Sequence, residues 1–396
     1  MKTVYLDNAA TTAVDPEVLA AMRPYFTEKY GNPSEFHILG REARIAIENA
    51  RNKTALFLGA QPEEIVFTGS ATESINLSHK GLIESLLEDF RGKKRPHIIT
   101  SSIEHKAVLE TCRHLERRGE VFVTYLPVDN FGRVDVNKIK EVIKPETVLV
   151  SVMYANNEVG TIEPIQKIGF IIKKINNSMR NNRIYFHTDA TQALQYFNCN
   201  VDLLGVDFLS FTGHKIYAPK GIGALFVRRG TPIVRQLDGG EQESGLRSST
   251  ENVPYIVGLG KAIEIIKRSK TFNSEKIAKF RDKLIKGILT IPGVRLTGHP
   301  TERVPHIASF VVDGVEGESM VLLLSDLGII ASSGSACTSA KLTPSHVLTA
   351  IGVSPEVSHG SLRFSLGKDT KDQEIDYVIK KLLEVVGRLR RMAPKF

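Results

Sequence analysis

The feature that most constrains the fold is an alternation, over the first three-fifths of the chain, of short β-branched runs with longer amphipathic stretches. Runs with the length and composition of buried strands lie at 64–68, 97–100, 121–125, 147–152, 184–188, 208–211 and 223–227. Helical patterns accompany them at 35–58, 72–90, 105–118, 137–144 and 164–178. Strands that alternate with helices favour a parallel sheet that carries helices on both faces. The sequence therefore predicts an α/β fold for this part of the chain.

The pattern changes near residue 260, where a long helical stretch over about 254–290 begins a second module. Fewer strand candidates follow, at 294–296, 307–312 and 363–366, with helical patterns at 318–327 and 371–391. That mixture is typical of a smaller α+β domain. For a chain of 396 residues we predict two packed domains, a large one over 15–260 and a small one made of 1–14 with 261–396.

The composition excludes several classes of protein. The chain has 52 Lys and Arg against 44 Asp and Glu, and this +8 surplus is modest, mostly scattered and not interleaved with aromatic residues, so we expect no direct nucleic-acid binding. Its three cysteines are too few for a disulfide framework, and no CxxC pair indicates a metal. We find no secretory signal and no apolar run near the ~20 residues that span a membrane. We therefore expect a cytoplasmic protein in a reducing compartment, without a membrane partner.

Small and polar residues follow five of the strand candidates, and in open α/β sheets ligands bind beyond the carboxyl ends of the strands. These residues are 69–73, His105, Asn157, Asp189 with Gln192, and His214 with Lys215. Residues 69–72 open a helix and offer backbone N–H groups to an anion such as phosphate. Taken singly, a His or Asp near a strand end is more typical of a helix cap or a satisfied hydrogen-bonding side chain, and a lone Lys is more typical of the surface. The prediction of a shared ligand site depends on the whole set.

That set fits pyridoxal phosphate (PLP). The amine of Lys215 can form the Schiff base, and the carboxylate of Asp189 can keep the pyridine nitrogen protonated so that the ring accepts electrons. His105 can stack on the ring, while Asn157 and Gln192 can hydrogen-bond its phenolic oxygen. The residues therefore predict a PLP-dependent enzyme.

A second set of residues lies in the small module. Cys337 lies in a run over 331–340 that is rich in Ser, Gly and Ala, a composition typical of a mobile loop. A buried structural role suits Cys112 and Cys199 better than Cys337. Arg363, on a strand candidate, can bind a carboxylate in bidentate fashion. We therefore expect an amino-acid substrate and one exposed nucleophilic cysteine.

Long motifs spread over nearly the whole chain resemble those of the cysteine desulfurases of the NifS/IscS type, which belong to the class V aminotransferase family. They lie at 5–12, 30–34, 72–77, 156–160, 189–192, 213–215, 332–340 and 361–367. The segment 332–340 resembles the group with an extended cysteine loop. The resemblance implies a fold-type I PLP-dependent transferase, with a large domain built on a mostly parallel seven-stranded sheet and a smaller α+β domain.

The resemblance also implies a role for each matching residue. The implied cofactor-binding residues are Ala71, Thr72, His105, Asn157, Asp189, Gln192, Thr212, His214, Lys215 and Thr250. Cys337, Lys215 and His105 would be catalytic, and Arg363 would bind the substrate carboxylate with Asn32 and Asn157 nearby. Thr250 matches a phosphate-binding residue that the family supplies from the partner subunit, which implies a homodimer.

The implied activity is conversion of L-cysteine to L-alanine with transfer of sulfur to Cys337 as a persulfide. The sulfur would go to an acceptor such as an iron–sulfur scaffold, for cluster assembly or tRNA thiolation. We expect no resident metal; the one metal contact that the resemblance allows is a transient iron–sulfur contact at Cys337. One alternative is a selenocysteine lyase or cysteine sulfinate desulfinase of the same fold. An alternative of another class is a non-catalytic scaffold or nucleic-acid-binding relic of the fold.

Overall fold

The computed structural model describes residues 3–90, 92, 94–178, 183–269, 274–334 and 344–392. Its strands are β1 Val4–Tyr5, β2 Ile65–Thr68, β3 His97–Ser101, β4 Phe122–Leu126, β5 Thr147–Ser151, β6 Tyr185–Asp189, β7 Phe208–Thr212, β8 Gly223–Val227, β9 Val294–Leu296, β10 Ile307–Val312, β11 Ile329–Ile330 and β12 Ser361–Ser365. Its helices are α1 Pro16–Met22, α2 Pro24–Thr27, α3 Ile38–Leu58, α4 Ala71–Leu86, α5 Lys106–Arg117, α6 Val136–Val142, α7 Ile165–Ser178, α8 Val201–Leu204, α9 Val253–Arg268, α10 Ser274–Ile288, α11 Gly317–Asp326, α12 His346–Ala350, α13 Pro355–Ser358 and α14 Asp372–Met392. Among the residues in these ranges, no helix is long and apolar enough to cross a bilayer.

The central element is a seven-stranded sheet in the order β2-β8-β7-β6-β5-β3-β4. Neighbours from β7 to β4 pair in parallel, and β8 alone runs antiparallel to both β7 and β2. The seven strand candidates of the sequence all join this sheet, so the prediction of an α/β fold with a mostly parallel seven-stranded sheet is confirmed.

Both faces of this sheet are covered, as the continuous apolar runs require. Ile98 and Ile99 are adjacent on β3, are fully buried and belong to two different clusters of packed side chains. One cluster takes in α3, α7 and α9, and the other takes in α4 and α5. Successive side chains of a strand point to opposite faces, so the helices form two layers around the sheet.

The long helical stretch predicted over 254–290 forms two helices, α9 and α10. Side chains of α9 as far as Ile266 pack in the core of the large sheet, whereas α10 contributes Ile277 and Leu284 to a separate core. The prediction of one long helical stretch was therefore wrong: the apolar residues of its first part pack in the core of the large sheet, and those of its second part pack in the separate core. The domain division at residue 260 stays a prediction, and residue 260 itself lies inside α9.

The second core belongs to a smaller α+β region. Strands β12, β10 and β9 form an antiparallel sheet, and α10, α11 and α14 contribute side chains to the core beneath it. The N-terminal strand β1 pairs in parallel with β11, and Leu6 is buried in the same core. This pairing brings residues 7–12 to the carboxyl ends of β6 and β7, between the two regions.

Candidate active site

A cavity of about 390 Å³ lies beyond the carboxyl ends of the parallel strands. Its wall includes ten of the residues expected to bind cofactor or substrate: Ala71, Thr72, His105, Asn157, Asp189, Gln192, Thr212, His214, Lys215 and Arg363. The wall also includes Asp7, Ala9 and Ala10 of the N-terminal segment, and Ser332 of the smaller region. Residues distant in the sequence thus share one enclosed space at the sheet edge where ligands bind in such folds.

Lys215 lies in a short turn that follows β7 directly. Its Nζ donates hydrogen bonds to the carbonyls of Ala9 at 2.6 Å and Ala10 at 2.5 Å. The turn is tight because residue 213 is glycine: a Cβ there would lie 2.8 Å from the side chain of Ile222. The two carbonyls hold the amine at the cavity wall, where it can meet an aldehyde.

Asp189 ends β6 and is 5% exposed. One carboxylate oxygen, Oδ1, accepts a hydrogen bond from the backbone N–H of Thr191 at 2.9 Å. That bond fixes the carboxylate in the wall of the cavity that Lys215 also lines, and Lys215 follows the adjacent strand β7. The pair fits the needs of PLP, a carboxylate for the pyridinium and an amine for the aldehyde.

His105 caps the N-terminus of α5 and faces the same cavity. Its Nδ1 accepts a hydrogen bond from the backbone N–H of Ala107 at 3.1 Å, so a neutral ring carries its proton on Nε2. Burial lowers the pKa of His105, and the positive charge of Lys215 adds to this, while Asp189 opposes it. A fixed, neutral ring is suited to stacking on an aromatic cofactor.

The phosphate side of the cavity is formed by the first turn of α4. Ser70 caps this helix, and its Oγ accepts from the backbone N–H of Glu73 at 3.2 Å. The N–H groups of the first turn have no acceptor within the helix, so they are available to an anion. Gly223 allows β8 to approach this turn, since a Cβ there would lie 2.9 Å from the N atom of Ala71. The backbone therefore forms a cradle that a phosphate fits.

Thr212 and His214 complete that side of the wall. Thr212 Oγ1 donates to the carbonyl of Ile222 at 3.1 Å, and His214 Nδ1 lies 3.2 Å from Thr11 Oγ1. Burial, with the charge of Lys215, lowers the pKa of His214 to about 4. His214 is therefore neutral at physiological pH, and it can serve a phosphate as a hydrogen-bond donor rather than as a cation.

Arg363 reaches the cavity from β12 in the smaller region and is 7% exposed. Its Nη2 lies 3.0 Å from Asp7 Oδ1, and its Nη1 donates to the carbonyl of Asn157 at 2.8 Å. Its Nε is buried and has no hydrogen-bond partner among the described residues. The guanidinium is therefore held in place while it keeps donors for a carboxylate ligand.

Two of the expected site residues that the structure describes, Asn32 and Thr250, are not part of the wall. Asn32 Oδ1 accepts from the backbone N–H of Ser34 at 3.0 Å and lies away from the cavity lining. Thr250 lines a neighbouring pocket together with Gly69 and Arg247. Cys337 lies outside the described residues. A single described chain thus brings together neither Asn32 nor Thr250 with the other site residues.

Two residues of the site were missed in the sequence. Asp7 forms an ion pair with Arg363. His306, which does not line the cavity, contacts the cavity residue Gln192, with His306 Nε2 at 3.1 Å from Gln192 Oε1. Asp7 lies in the motif at 5–12, which was a usable signal, whereas nothing in the sequence around His306 pointed to the site. Cys112 and Cys199 are both free and buried, and burial raises the pKa of both thiols, as expected of structural cysteines.

The fold and the cavity define a fold-type I PLP-dependent enzyme. Residues 4–378 match the family described as aminotransferase class-V. The chain belongs to this class V aminotransferase family.

Individual relatives are similar over almost the full chain. The chain is 48% identical over 393 residues to "Cysteine desulfurase IscS" of Methanosarcina thermophila, which covers 99% of this chain and 94% of that protein. Among solved structures, a "NifS-like protein" is 39% identical with a TM-score of 0.89, covering 98% of this chain and 100% of the other. A structure titled "SspA in complex with cysteine" is 38% identical with a TM-score of 0.79, covering 92% and 99%. The resemblance to the NifS/IscS type is thereby confirmed.

Proposed function

We propose that this chain is a PLP-dependent cysteine desulfurase, which converts L-cysteine to L-alanine and transfers the sulfur to Cys337 as a persulfide. The observation that carries the proposal is the meeting of Arg363, from the smaller region, with Lys215 and Asp189 in one cavity. A carboxylate-binding guanidinium beside a PLP site selects an amino acid as substrate. Full-length similarity to proteins named cysteine desulfurase narrows that amino acid to cysteine.

PLP supplies an electron sink for the negative charge that develops on the substrate α-carbon. The chain's own part begins with Arg363, whose free donors bind the α-carboxylate and orient the amino acid. The ion pair with Asp7 and the bond to the Asn157 carbonyl hold the guanidinium still. An oriented carboxylate fixes the α-carbon relative to Lys215, which is the main requirement for proton transfer.

Lys215 has two duties in this proposal. Its amine would hold the cofactor, and its Nζ would take the α-proton of the bound substrate. The carbonyls of Ala9 and Ala10 accept from Nζ at 2.6 and 2.5 Å, so they position the amine at the cavity wall. His105, with its proton on Nε2, is placed to stack on the cofactor and to pass a proton at the cavity wall.

In the sulfur-transfer step we assign Cys337 as the nucleophile. Its thiolate attacks the substrate sulfur, an S–S bond forms, and the carbon–sulfur bond breaks with its electron pair left on carbon. Proton uptake at that carbon would then give alanine as the product. A reductant or an acceptor thiol then removes the extra sulfur from Cys337. This residue is assigned from the sequence, because a Ser/Gly/Ala-rich segment offers an accessible thiol.

The active unit is proposed to be a homodimer. Thr250 and Asn32 are expected to serve the site but do not line it within one chain, so a partner subunit is the natural source of at least Thr250. The segment between α2 and α3 carries exposed apolar side chains, among them Phe36 at 85% and Tyr30 at 68% exposure. Such a surface is typical of an interface between subunits.

For the cellular role we propose that the persulfide is delivered to an acceptor protein for iron–sulfur cluster assembly or tRNA thiolation, in the cytoplasm. The proteins named IscS among the relatives support the first destination. Free, buried Cys112 and Cys199 suit a reducing compartment. Cell fractionation and co-purification with a tagged scaffold protein test the location and the acceptor.

The decisive experiment is mass spectrometry of the holoenzyme after L-cysteine treatment. We expect one added sulfur on Cys337 and none on Cys112 or Cys199, together with stoichiometric alanine. Full activity of Cys337→Ser on cysteine would instead favour a selenocysteine lyase or sulfinate desulfinase, whose leaving group departs without a thiol. A chain that takes up no PLP and binds RNA with a steep salt dependence would favour a non-catalytic relic.

A further inference from the structure

Gln192 is held by hydrogen bonds from two separate parts of the chain. Its Nε2 donates to the carbonyl of Ala9 at 3.1 Å, and its Oε1 faces His306 Nε2 at 3.1 Å. An amide nitrogen carries two hydrogens, so one N–H of Gln192 is left for the cavity that its side chain lines. The orientation of this amide decides whether a donor or an acceptor faces the cofactor.

The contacts of the amide also determine the protonation of His306. The carbonyl of Ala9 can only accept, so it takes the amide nitrogen of Gln192, and the amide oxygen must face His306. His306 Nε2 is therefore the donor, and a neutral ring has its proton there. His306 Nδ1 is buried with no hydrogen-bond partner among the described residues, in agreement with an unprotonated atom.

His306 has little freedom to adopt another arrangement. It is 3% exposed, and its ring is stacked on Tyr196 with centroids 4.6 Å apart and an interplanar angle of 24°. Its carbonyl accepts from the backbone N–H of Leu366 at 2.8 Å, at the start of β10. Burial, with the nearby charges of Arg363, Arg281 and Lys215, lowers the pKa of His306 to about 3, which keeps the ring neutral.

From this geometry we propose that His306 is a positioning residue: it fixes the amide of Gln192 so that an N–H, and not the oxygen, faces the phenolic oxygen of PLP. The inference rests on the proposed function, since it gives Gln192 that contact. Without the His306 donor, the amide loses the partner of its oxygen and can rotate. The cofactor oxygen would then lose a donor or face the amide oxygen.

The expected signature is spectroscopic. A donor to the phenolic oxygen stabilises its negative charge and so makes it easier for the cofactor–lysine linkage to lose its proton. Loss of the donor should raise the midpoint of the pH titration of the visible absorption band by roughly half a unit to one unit, given the net strength of a typical hydrogen bond. A role of His306 in packing alone would lower thermal stability without moving this midpoint.

The experiment is a pH titration of the visible band of PLP-loaded protein. We compare the wild type with His306→Leu, His306→Gln and His306→Asn, and melting temperatures are measured in parallel. The Gln and Asn variants form a matched pair. Gln can extend its amide to the position of the Nε2 donor, whereas Asn places its amide near Nδ1, which has no partner. We expect wild-type behaviour from His306→Gln and raised midpoints from His306→Asn and His306→Leu.

A double-mutant cycle with Gln192→Leu separates positioning from general damage. If His306 acts through Gln192, His306→Leu should shift the midpoint in the wild-type background and add almost nothing in the Gln192→Leu background. Equal shifts in both backgrounds, or no shift in His306→Leu, would overturn the inference. If His306→Leu does not fold, the Asn and Gln pair decides, and equal midpoints for those two variants would also overturn it. Absence of any visible band in the PLP-treated wild type would overturn the proposed function and this inference with it.

Discussion

The two regions of this molecule build the active site in different ways. The large region contributes residues at or just beyond the ends of its strands, such as Asp189 and Lys215, together with a helix N-terminus at Ala71. The smaller region and the N-terminal segment contribute residues that are fixed by contacts across the boundary, as in the pair of Arg363 with Asp7. The first set is suited to the cofactor, and the second set is suited to the substrate and to fine positioning. We therefore expect mutations in the large region to affect cofactor binding, and mutations in the smaller region or the N-terminal segment to affect substrate binding.

The largest effect is expected in the large region. Lys215→Ala should remove the visible absorption band of the protein–cofactor linkage and reduce kcat by roughly a thousandfold or more, because both the attachment and the α-proton acceptor are lost. Absorbance spectroscopy and alanine release measure the two losses. Lys220→Ala, which changes an exposed lysine of the same loop outside the cavity, serves as the control. A visible band in Lys215→Ala would break the assignment of the cofactor to this region.

A smaller effect, of a different kind, is expected from the other region. Arg363→Leu should lower kcat/KM for cysteine by about 10-fold to 100-fold, mainly through KM, since hydrogen bonds to a charged group are lost. Arg363→Lys should recover only part of this, because an ammonium cannot bind a carboxylate in bidentate fashion. The visible band and its titration should stay as in the wild type. Loss of the cofactor from Arg363→Leu would contradict the division of labour.

Asp7→Asn tests whether the N-terminal segment acts through the smaller region. Loss of the charge that lies 3.0 Å from Arg363 Nη2 should lower kcat/KM by roughly threefold to tenfold. In the Arg363→Leu background the same change should have almost no effect. Asp15→Asn is the matched control, since Asp15 pairs with Lys368 outside the cavity wall. Independent, additive losses would show that Asp7 does not act through Arg363.

The smallest effect on catalysis is expected from Glu104, which precedes His105 but does not line the cavity. Burial raises the pKa of its carboxyl to about 8, above the 4.5 of an exposed glutamate. The protonated form is therefore favoured by folding: this contribution to stability is full below about pH 4.5 and is lost as the pH rises towards about 8. Glu104→Gln cannot ionise, so its melting temperature should fall less than that of the wild type across this range.

Kinetic constants of Glu104→Gln near neutral pH should stay within about twofold of the wild type, because one neutral group replaces another. Glu163→Gln is the matched control for stability. Glu163 is 1% exposed, its pKa is also raised to about 8, and it lies outside the cavity wall. The two variants should flatten the pH dependence of the melting temperature by similar amounts. An unchanged slope in Glu104→Gln would mean that this carboxyl is already ionised at neutral pH.

The functional residues of the large region could be predicted from the sequence because each of them lies next to the strand or helix that positions it. A strand followed at once by a glycine-containing turn and Lys215 fixes both the element and the position of its functional residue. The same reasoning predicted Asp189, which is the last residue of β6, and the anion-binding turn at the start of α4. Predicting these positions required no knowledge of the strand order, because the carboxyl ends of parallel strands all lie at one edge of the sheet.

The parts that were missed depend on contacts between distant residues. His306 is 114 positions from Gln192, and no periodicity or motif connects the two. The split of the 254–290 pattern into α9 and α10 has the same origin, since both halves have helical spacing but face different cores. Local patterns determine what an element is, whereas its packing partner depends on the assembled fold.

The pairing of β1 with β11 has a consequence for biosynthesis. Val4 lies opposite Ile329, and the backbone N–H of Asn8 donates to the carbonyl of Ser365. The N-terminal segment, whose Ala9 and Ala10 carbonyls accept from Lys215 and Gln192, therefore pairs with residues that are translated near the end of synthesis. At ribosomal speeds of about 5–20 residues per second, Val4 leaves the ribosome on the order of tens of seconds before Ile329 is made. The cofactor site is thus completed only when synthesis is nearly over, and nascent chains stalled before residue 329 should retain PLP poorly.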